Sequence, residues 1–182
     1  MGRRWIPPIV GLMFSAVLTL PLVAAGRTEV RVEGVTIRVG LRTADQINAF
    51  YEARGFPAAA LKKLSSHCFI GVSVRNDSGR VVWLERSGFR FRSRDRGDAW
   101  TAQPLDYWLA QWKQINVPAS ARAAFRWTQL PEMRDLQPNE PVGGNLSFAR
   151  RTGDFDLEIH LATGKDRQGT PLMAHFSGLS CP

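Results

Sequence analysis

The residue types that could hold a metal or move electrons are few in this 182-residue chain: Cys68 and Cys181, His67, His160 and His175, and the methionines. Two lone thiolates with no neighbour at ligand spacing are poor zinc donors. An even pair far apart in sequence is most simply one disulfide, provided the compartment is oxidising. Such a bond closes a very long loop, worth about 4 to 5 kcal/mol in the chain-entropy model. It would also pin the carboxyl terminus to a strand that begins at Cys68. His160, His175, Met133 and Met173 are types that copper carriers use. They come without an H-x-H or M-x-x-M pattern, and only Glu158 stands near, two residues before His160 on the same strand face. No metal and no cofactor are expected.

Covalent and acid–base chemistry fare no better. No G-x-S-x-G elbow and no S-x-x-K is present, and the cysteines are better used in a bridge. Val142-Gly143-Gly144-Asn145 opens a strand and not a helix, and Gly164-Lys165 lacks the upstream glycine of a phosphate loop, so both read as turns. Glu52, Glu85, Glu132 and Glu158 carry no motif that would make a hydrolytic pair of any two of them. The chain therefore reads as a non-enzyme.

Two clusters could bind without catalysing. Arg90, Arg92 and Arg94 fall among Arg86 and Arg96, tempered by Asp95 and Asp98. Their spacing is that of ordinary strand alternation first and of a basic strip second. In Leu105 to Ile115, Trp108 and Trp112 share one helical face with Leu105 and Ile115. That stripe suits a helix packed on a sheet, and its alternative is a stacking platform for a glycan.

Charge and the amino terminus bound the partners. The formal net charge is +8, and removing Arg3 and Arg4 leaves 22 basic against 16 acidic residues, or +6. A basic surface of this size suits solvation, or contact with anionic lipid headgroups, lipopolysaccharide or acidic glycans. Arg3 and Arg4 precede an apolar run from Ile9 to Leu20, then Pro21 and the small residues Val23-Ala24-Ala25. This three-part layout predicts a signal peptide over residues 1–25 and a periplasmic protein. An uncleaved membrane anchor is the alternative. Trp5-Ile6-Pro7-Pro8 fits a twin-arginine signal poorly, and no Cys follows the run to take a lipid. Export removes nucleic acid as a partner, and contact with the membrane is expected only through the signal segment before cleavage.

The elements that would position these residues are mostly strands. Cys68 to Arg92 alternates apolar and polar on both sides of Asn76-Asp77-Ser78-Gly79, which predicts a central hairpin with Ile70, Val72, Val74, Val82, Leu84, Phe89 and Phe91 inward. Val30 to Leu41 predicts one strand, or a pair broken at Gly34, at a sheet edge. Thr43 and Gln46 form a capping box for a helix bearing Ile47, Phe50 and Tyr51, stopped at Gly55. Pro57 starts a second short helix with Leu61 and Leu64 on one side and Lys62 and Lys63 on the other. After the Trp helix, Pro118 and a polar turn lead to Phe125 through Leu130. Leu136 to Gly144 has too many breakers for regular structure. Leu146 and Phe148, Phe155 to Leu161, and Leu172 to Phe176 complete about seven strands, the count of a β-sandwich.

The segments Val72-Ser73-Val74-Arg75-Asn76, Phe89-Arg90-Phe91 and Leu136-Gln137-Pro138-Asn139-Glu140 with Gly144 and Phe148 resemble the immunoglobulin-like sandwich domains of bacterial envelope proteins. With the signal segment, Leu41-Arg42-Thr43, the Trp helix and the closing Gly178-Leu179-Ser180-Cys181, the chain looks like an uncharacterised family of exported proteobacterial proteins. The resemblance implies a mainly β, immunoglobulin-like antiparallel sandwich over residues 26–182 with short inserted helices, and it carries over no catalytic residue. The function expected is an exported, non-enzymatic binding or accessory module whose partner is an envelope protein or an anionic envelope component. The alternative is a small-ligand or glycan binder using the Trp helix and the basic strip.

Overall fold

The computed structural model describes Gly2 and residues 28–182. The signal segment expected over residues 1–25 otherwise lies outside the described residues. No described helix is long and apolar enough to cross a membrane.

The first alternating segment forms a hairpin, β1 (Thr28–Val32) and β2 (Val35–Arg42), with Val32 opposite Val35. Its two turn residues, Glu33 and Gly34, both have positive φ (45° and 82°), the combination whose twist matches a two-residue hairpin. The capping box forms as expected: the Thr43 hydroxyl accepts from the Gln46 N–H while the Gln46 side chain accepts from the Thr43 N–H, starting α1 (Ala44–Glu52). Pro57 caps α2 (Ala58–Ser65). The chain then enters β3 (His67–Asn76), where Ile70, Val72 and Val74 point inward.

The expected central hairpin does not form. β3 lies in one sheet, and β4 (Val82–Glu85) lies in the other. Alternation cannot separate these cases, because two strands facing each other across a core bury the same period-two set as two strands side by side. Asn76 makes the crossing possible. It is fully buried, its Nδ2 donates to the carbonyls of Arg80 and Leu136, and its Oδ1 accepts from the Ser78 N–H and hydroxyl. Its backbone N–H bonds the Glu140 carbonyl, and its own carbonyl accepts from Asn139. The V-x-V-x-N and L-x-P-x-E segments are thus two halves of one polar knot.

The next strand is also interrupted. β4 and β5 (Phe89–Ser93) lie along the same edge of β9 (Phe155–Thr163), but a 3-10 turn, Arg86–Gly88, separates them. Val82 pairs Thr163 and Phe89 pairs Ile159, so the turn is an insertion within one row. Each half takes its own outer neighbour: β6 (Ala99–Trp100) on β5, and β7 (Met133–Leu136) on β4. β10 (Gly169–Leu179) covers the opposite side of β9. The described chain thus has ten strands where about seven were expected.

The first sheet runs β1-β2-β3-β8, all antiparallel. Its last strand, β8 (Pro141–Ala149), corrects the expected loop over Leu136 to Gly144: Gly143 and Gly144 are strand residues. The main chain of Gln129 and Leu130 passes against β8, where Leu130 donates to the Asn145 carbonyl, and a Cβ on Gly144 would overlap it. Gly144 permits this close approach, and neither glycine breaks the strand. The two sheets enclose the main core, which includes Ile37, Val72, Phe91, Phe148, Leu157 and Phe176.

A second core lies between the outer face of the first sheet and the helices. α3 (Leu105–Gln114) forms as its spacing predicts. α4 (Ala119–Thr128) was missed; Ala121 and Phe125 are its buried face, and two apolar anchors are too sparse a pattern to announce a helix. Tyr51, Phe56, Leu64, Phe69, Trp108, Trp112 and Phe125 fill this layer. Cys68 and Cys181 form the expected disulfide, with Cα atoms 5.7 Å apart. The molecule is mainly β: two packed antiparallel sheets with one helical layer.

Candidate functional site

The expected basic strip lies beside an acid-bearing strand that sequence could not place next to it. Arg90 and Arg92 point outward from β5 while Phe89 and Phe91 are buried, as alternation requires. In register, however, Arg90 faces Glu158 and Arg92 faces Asp156 on β9. Arg94 stands 3.7 Å from the Asp156 carboxylate, and His175 Nε2 lies 3.8 Å from its other oxygen. Arg90, Arg92, Asp156, Glu158 and His175 line a small cleft of about 190 Å³ of mixed charge.

Trp108 and Trp112 are fully buried, stacked with ring centroids 5.0 Å apart, and pack on Phe125. Trp108 donates its indole N–H to the Ser147 hydroxyl at 2.9 Å. Neither ring offers a face to a sugar, which corrects the glycan-platform alternative: the stripe is core because the sheet beneath it supplies Phe69 and Ser147 as partners. His160 and His175 lie on one face of the β9–β10 pair, but His160 is opposite Met173 and His175 opposite Glu158, so they are diagonal neighbours. Among the described residues no group of three or more His, Cys, Asp or Glu could hold a metal ion.

A wider opening lies elsewhere, on the outer face of the first sheet beside the helices. Three strand rows build it. Gly40 of β2 is directly opposite Gly71 of β3, and Gly71 is opposite Asn145 of β8; in the next row Arg38, Ser73 and Gly143 stand abreast. Glycine at three of these six outward positions leaves the sheet surface bare, forming the floor of a groove of about 530 Å³. Phe50 of α1 and Thr128 of α4 contribute to its walls. Phe50, expected on the buried face of its helix, is part-exposed, with the Arg54 guanidinium 3.5 Å above its ring centre.

Two guanidinium groups line this groove, and no carboxylate does. Arg38 is held by Glu29 at 2.5 Å, which also takes Arg31; the two arginines hold the Glu29 carboxyl below the usual carboxylate range. Arg42 reaches inward over Gly71, where any Cβ would crowd its Nη2 at 3.2 Å. Among the described residues it has no acidic partner within salt-bridge distance. A guanidinium carries five donors in a planar fork suited to a carboxylate or phosphate. Ser73, Thr128 and Asn145 add hydroxyl and amide groups. Tyr51 lies behind them: its hydroxyl bonds Thr128 at 2.7 Å, and burial pushes its phenol upward from the ordinary range. Sequence reading missed this site because its floor consists of glycines, whose absent side chains give no signal until the strands are paired.

No family model matches the chain, and no curated protein matches it. Among solved structures it is similar to the crystal structure of the yjhA protein from Bacillus subtilis, with 10% identity, over 72% of this chain and 76% of that chain, at a TM-score of 0.44.

Proposed function

We propose that the protein is an exported, non-enzymatic binding module of the cell envelope that takes an anionic ligand in the glycine-floored groove. The single observation behind this reading is Arg42, a guanidinium without an acidic partner among the described residues, lying over Gly71 in a groove without acidic lining. The ligand class that suits the lining is an acidic glycan: Arg42 takes the carboxylate or phosphate, Ser73, Thr128 and Asn145 bond hydroxyls, and the part-exposed edge of Phe50 meets an apolar sugar face. A periplasmic location is supported by the signal-like leader in the sequence and by the Cys68 to Cys181 bond. The finer reading of the sandwich as immunoglobulin-like is supported by its two facing antiparallel sheets.

The groove is preferred over binding by addition of a partner strand at a sheet edge, since the edge strands β6 and β7 of the second sheet are only two and four residues long. The free edge of β8 already accepts from Gln103 and Leu130, and β1 packs against β10. Isothermal titration with uronic-acid oligosaccharides and phosphorylated core sugars, alongside neutral sugars of equal length, tests the reading. Binding of an acidic member, lost at least tenfold in Arg42→Glu and recovered unchanged by mass spectrometry, is the expected outcome. Equal affinity for neutral sugars, or an Arg42→Glu protein that binds as well as the original, would sink the groove. Turnover of the ligand would replace the binding module with an enzyme.

A further inference from the structure

The outward face of α3 and α4 has a composition that neither core packing nor the groove explains. α4 turns Ala121 and Phe125 inward. Ala119, Ala123 and Trp127 recur every four residues on its other side, flanked by Arg122 and Arg126, with Lys113 of α3 adjoining. Trp127 is 87% exposed, by far the most exposed large apolar side chain among the described residues. A tryptophan is costly to leave in water, and a pair of alanines behind it leaves its ring standing proud of the surface.

The charges beside it are of one sign. Lys113, Arg122 and Arg126 have no carboxylate within salt-bridge distance among the described residues, and the lining of the shallow depression they share with Leu109 and Trp127 contains no acid. The acid in the adjoining cleft, Glu132, lies 3.3 Å from Arg86. The depression also lacks any Asn, Gln, Asp, Glu, Ser or Thr that would bond sugar hydroxyls. An indole ringed by cations unpaired among the described residues, on a helix that buries its other side through Ala121 and Phe125, is the chemistry of a headgroup interface: the ring enters the polar layer while the cations meet lipid phosphates.

We propose that this face docks the protein reversibly on an anionic lipid bilayer, with Trp127 as the anchor and Lys113, Arg122 and Arg126 as the electrostatic contact. The proposal stands apart from the groove, since Arg42 is no part of this face. Co-sedimentation with phosphatidylcholine vesicles, with and without phosphatidylglycerol, tests it on protein isolated from its own cells. The variants Trp127→Ala and Arg122→Glu with Arg126→Glu share the same amino-terminal segment, which therefore cancels in the comparison. The original protein should sediment with the anionic vesicles, more weakly as salt rises. Brominated lipid should quench the fluorescence that Trp127→Ala removes, and each variant should bind at least fivefold more weakly while keeping the far-ultraviolet dichroism of the original. An original protein left in the supernatant, or both variants binding as the original does, overturns the proposal. So does a Trp127 signal that responds to soluble acidic oligosaccharides and not to vesicles, which would make this face a sugar platform.

Discussion

His67 shows what one residue's surroundings do to its chemistry. It is buried against Trp108, with ring centroids 4.5 Å apart, and its Nδ1 lies 3.0 Å from the Lys63 carbonyl. A carbonyl only accepts, so Nδ1 carries the proton and Nε2 is left facing the Tyr107 hydroxyl at 3.5 Å. Burial, the main cause, lowers the imidazole from its ordinary 6.5, and the nearby Lys63 charge acts the same way against the carbonyl bond. A folded-state pKa below the unfolded one means that the unfolded chain binds the proton first. The stability contributed by neutral His67 is therefore complete above about pH 6.5 and falls as the pH drops toward the folded-state value. Urea unfolding across that window should show the original protein losing stability on acidification and His67→Gln losing less. Parallel curves for the two proteins would assign the acid sensitivity elsewhere. Nothing in the sequence around His67 announced this, because the ring's partners come from α2 and α3 and meet only in the fold. The disulfide and the inward Phe89 and Phe91 were legible, since oxidation chemistry and period-two alternation act through residue type and spacing alone.

Among elements, the interrupted row of β4 and β5 depends on Gly88. A Cβ there would stand under 3 Å from the carbonyl oxygen of His160 on the strand alongside. Gly88→Ala should cost about 1 to 3 kcal/mol through this overlap; an unchanged urea midpoint would show that the 3-10 turn can move clear of β9. Local chemistry made α1 and α3 readable: the Thr43 and Gln46 box, and the three-four spacing of Leu105, Trp108 and Trp112. It failed for β8 and for the passage from β3 to β4. At β8, Gly144, one of the two glycines that signal a loop, is where Gln129 and Leu130 press against the strand. At Asn76 a turn between paired strands and a crossing between stacked sheets use the same residues. The site suffered in the same way: Gly40, Gly71 and Gly143 become a floor only once β2, β3 and β8 are in register, and the acids that border Arg90 and Arg92 are located only once β9 lies beside them.

At the scale of the whole molecule, the Cys68 to Cys181 bond ties the centre of the first sheet to the chain that follows β10. The cysteines are 113 residues apart in sequence. For a loop of that length the chain-entropy model assigns the bond about 4 to 5 kcal/mol, exerted chiefly on the unfolded state. Cys68→Ala with Cys181→Ala should lower the unfolding free energy by a comparable amount in urea titration, with the folded dichroism retained; an unaltered midpoint would show that the sandwich needs no such constraint. The sheet that carries Cys68 also divides the interior. Its inner face belongs to the cluster of Ile37, Val72 and Leu157, its outer face to that of Phe69, Trp112 and Phe125, and the two clusters have no residue in common. Energetically the protein is a pair of cores sharing one wall. Substitutions made on opposite sides of it are free to combine additively, so the helical layer, with the groove and the exposed tryptophan it carries, can diverge while the sandwich behind it stays as it is.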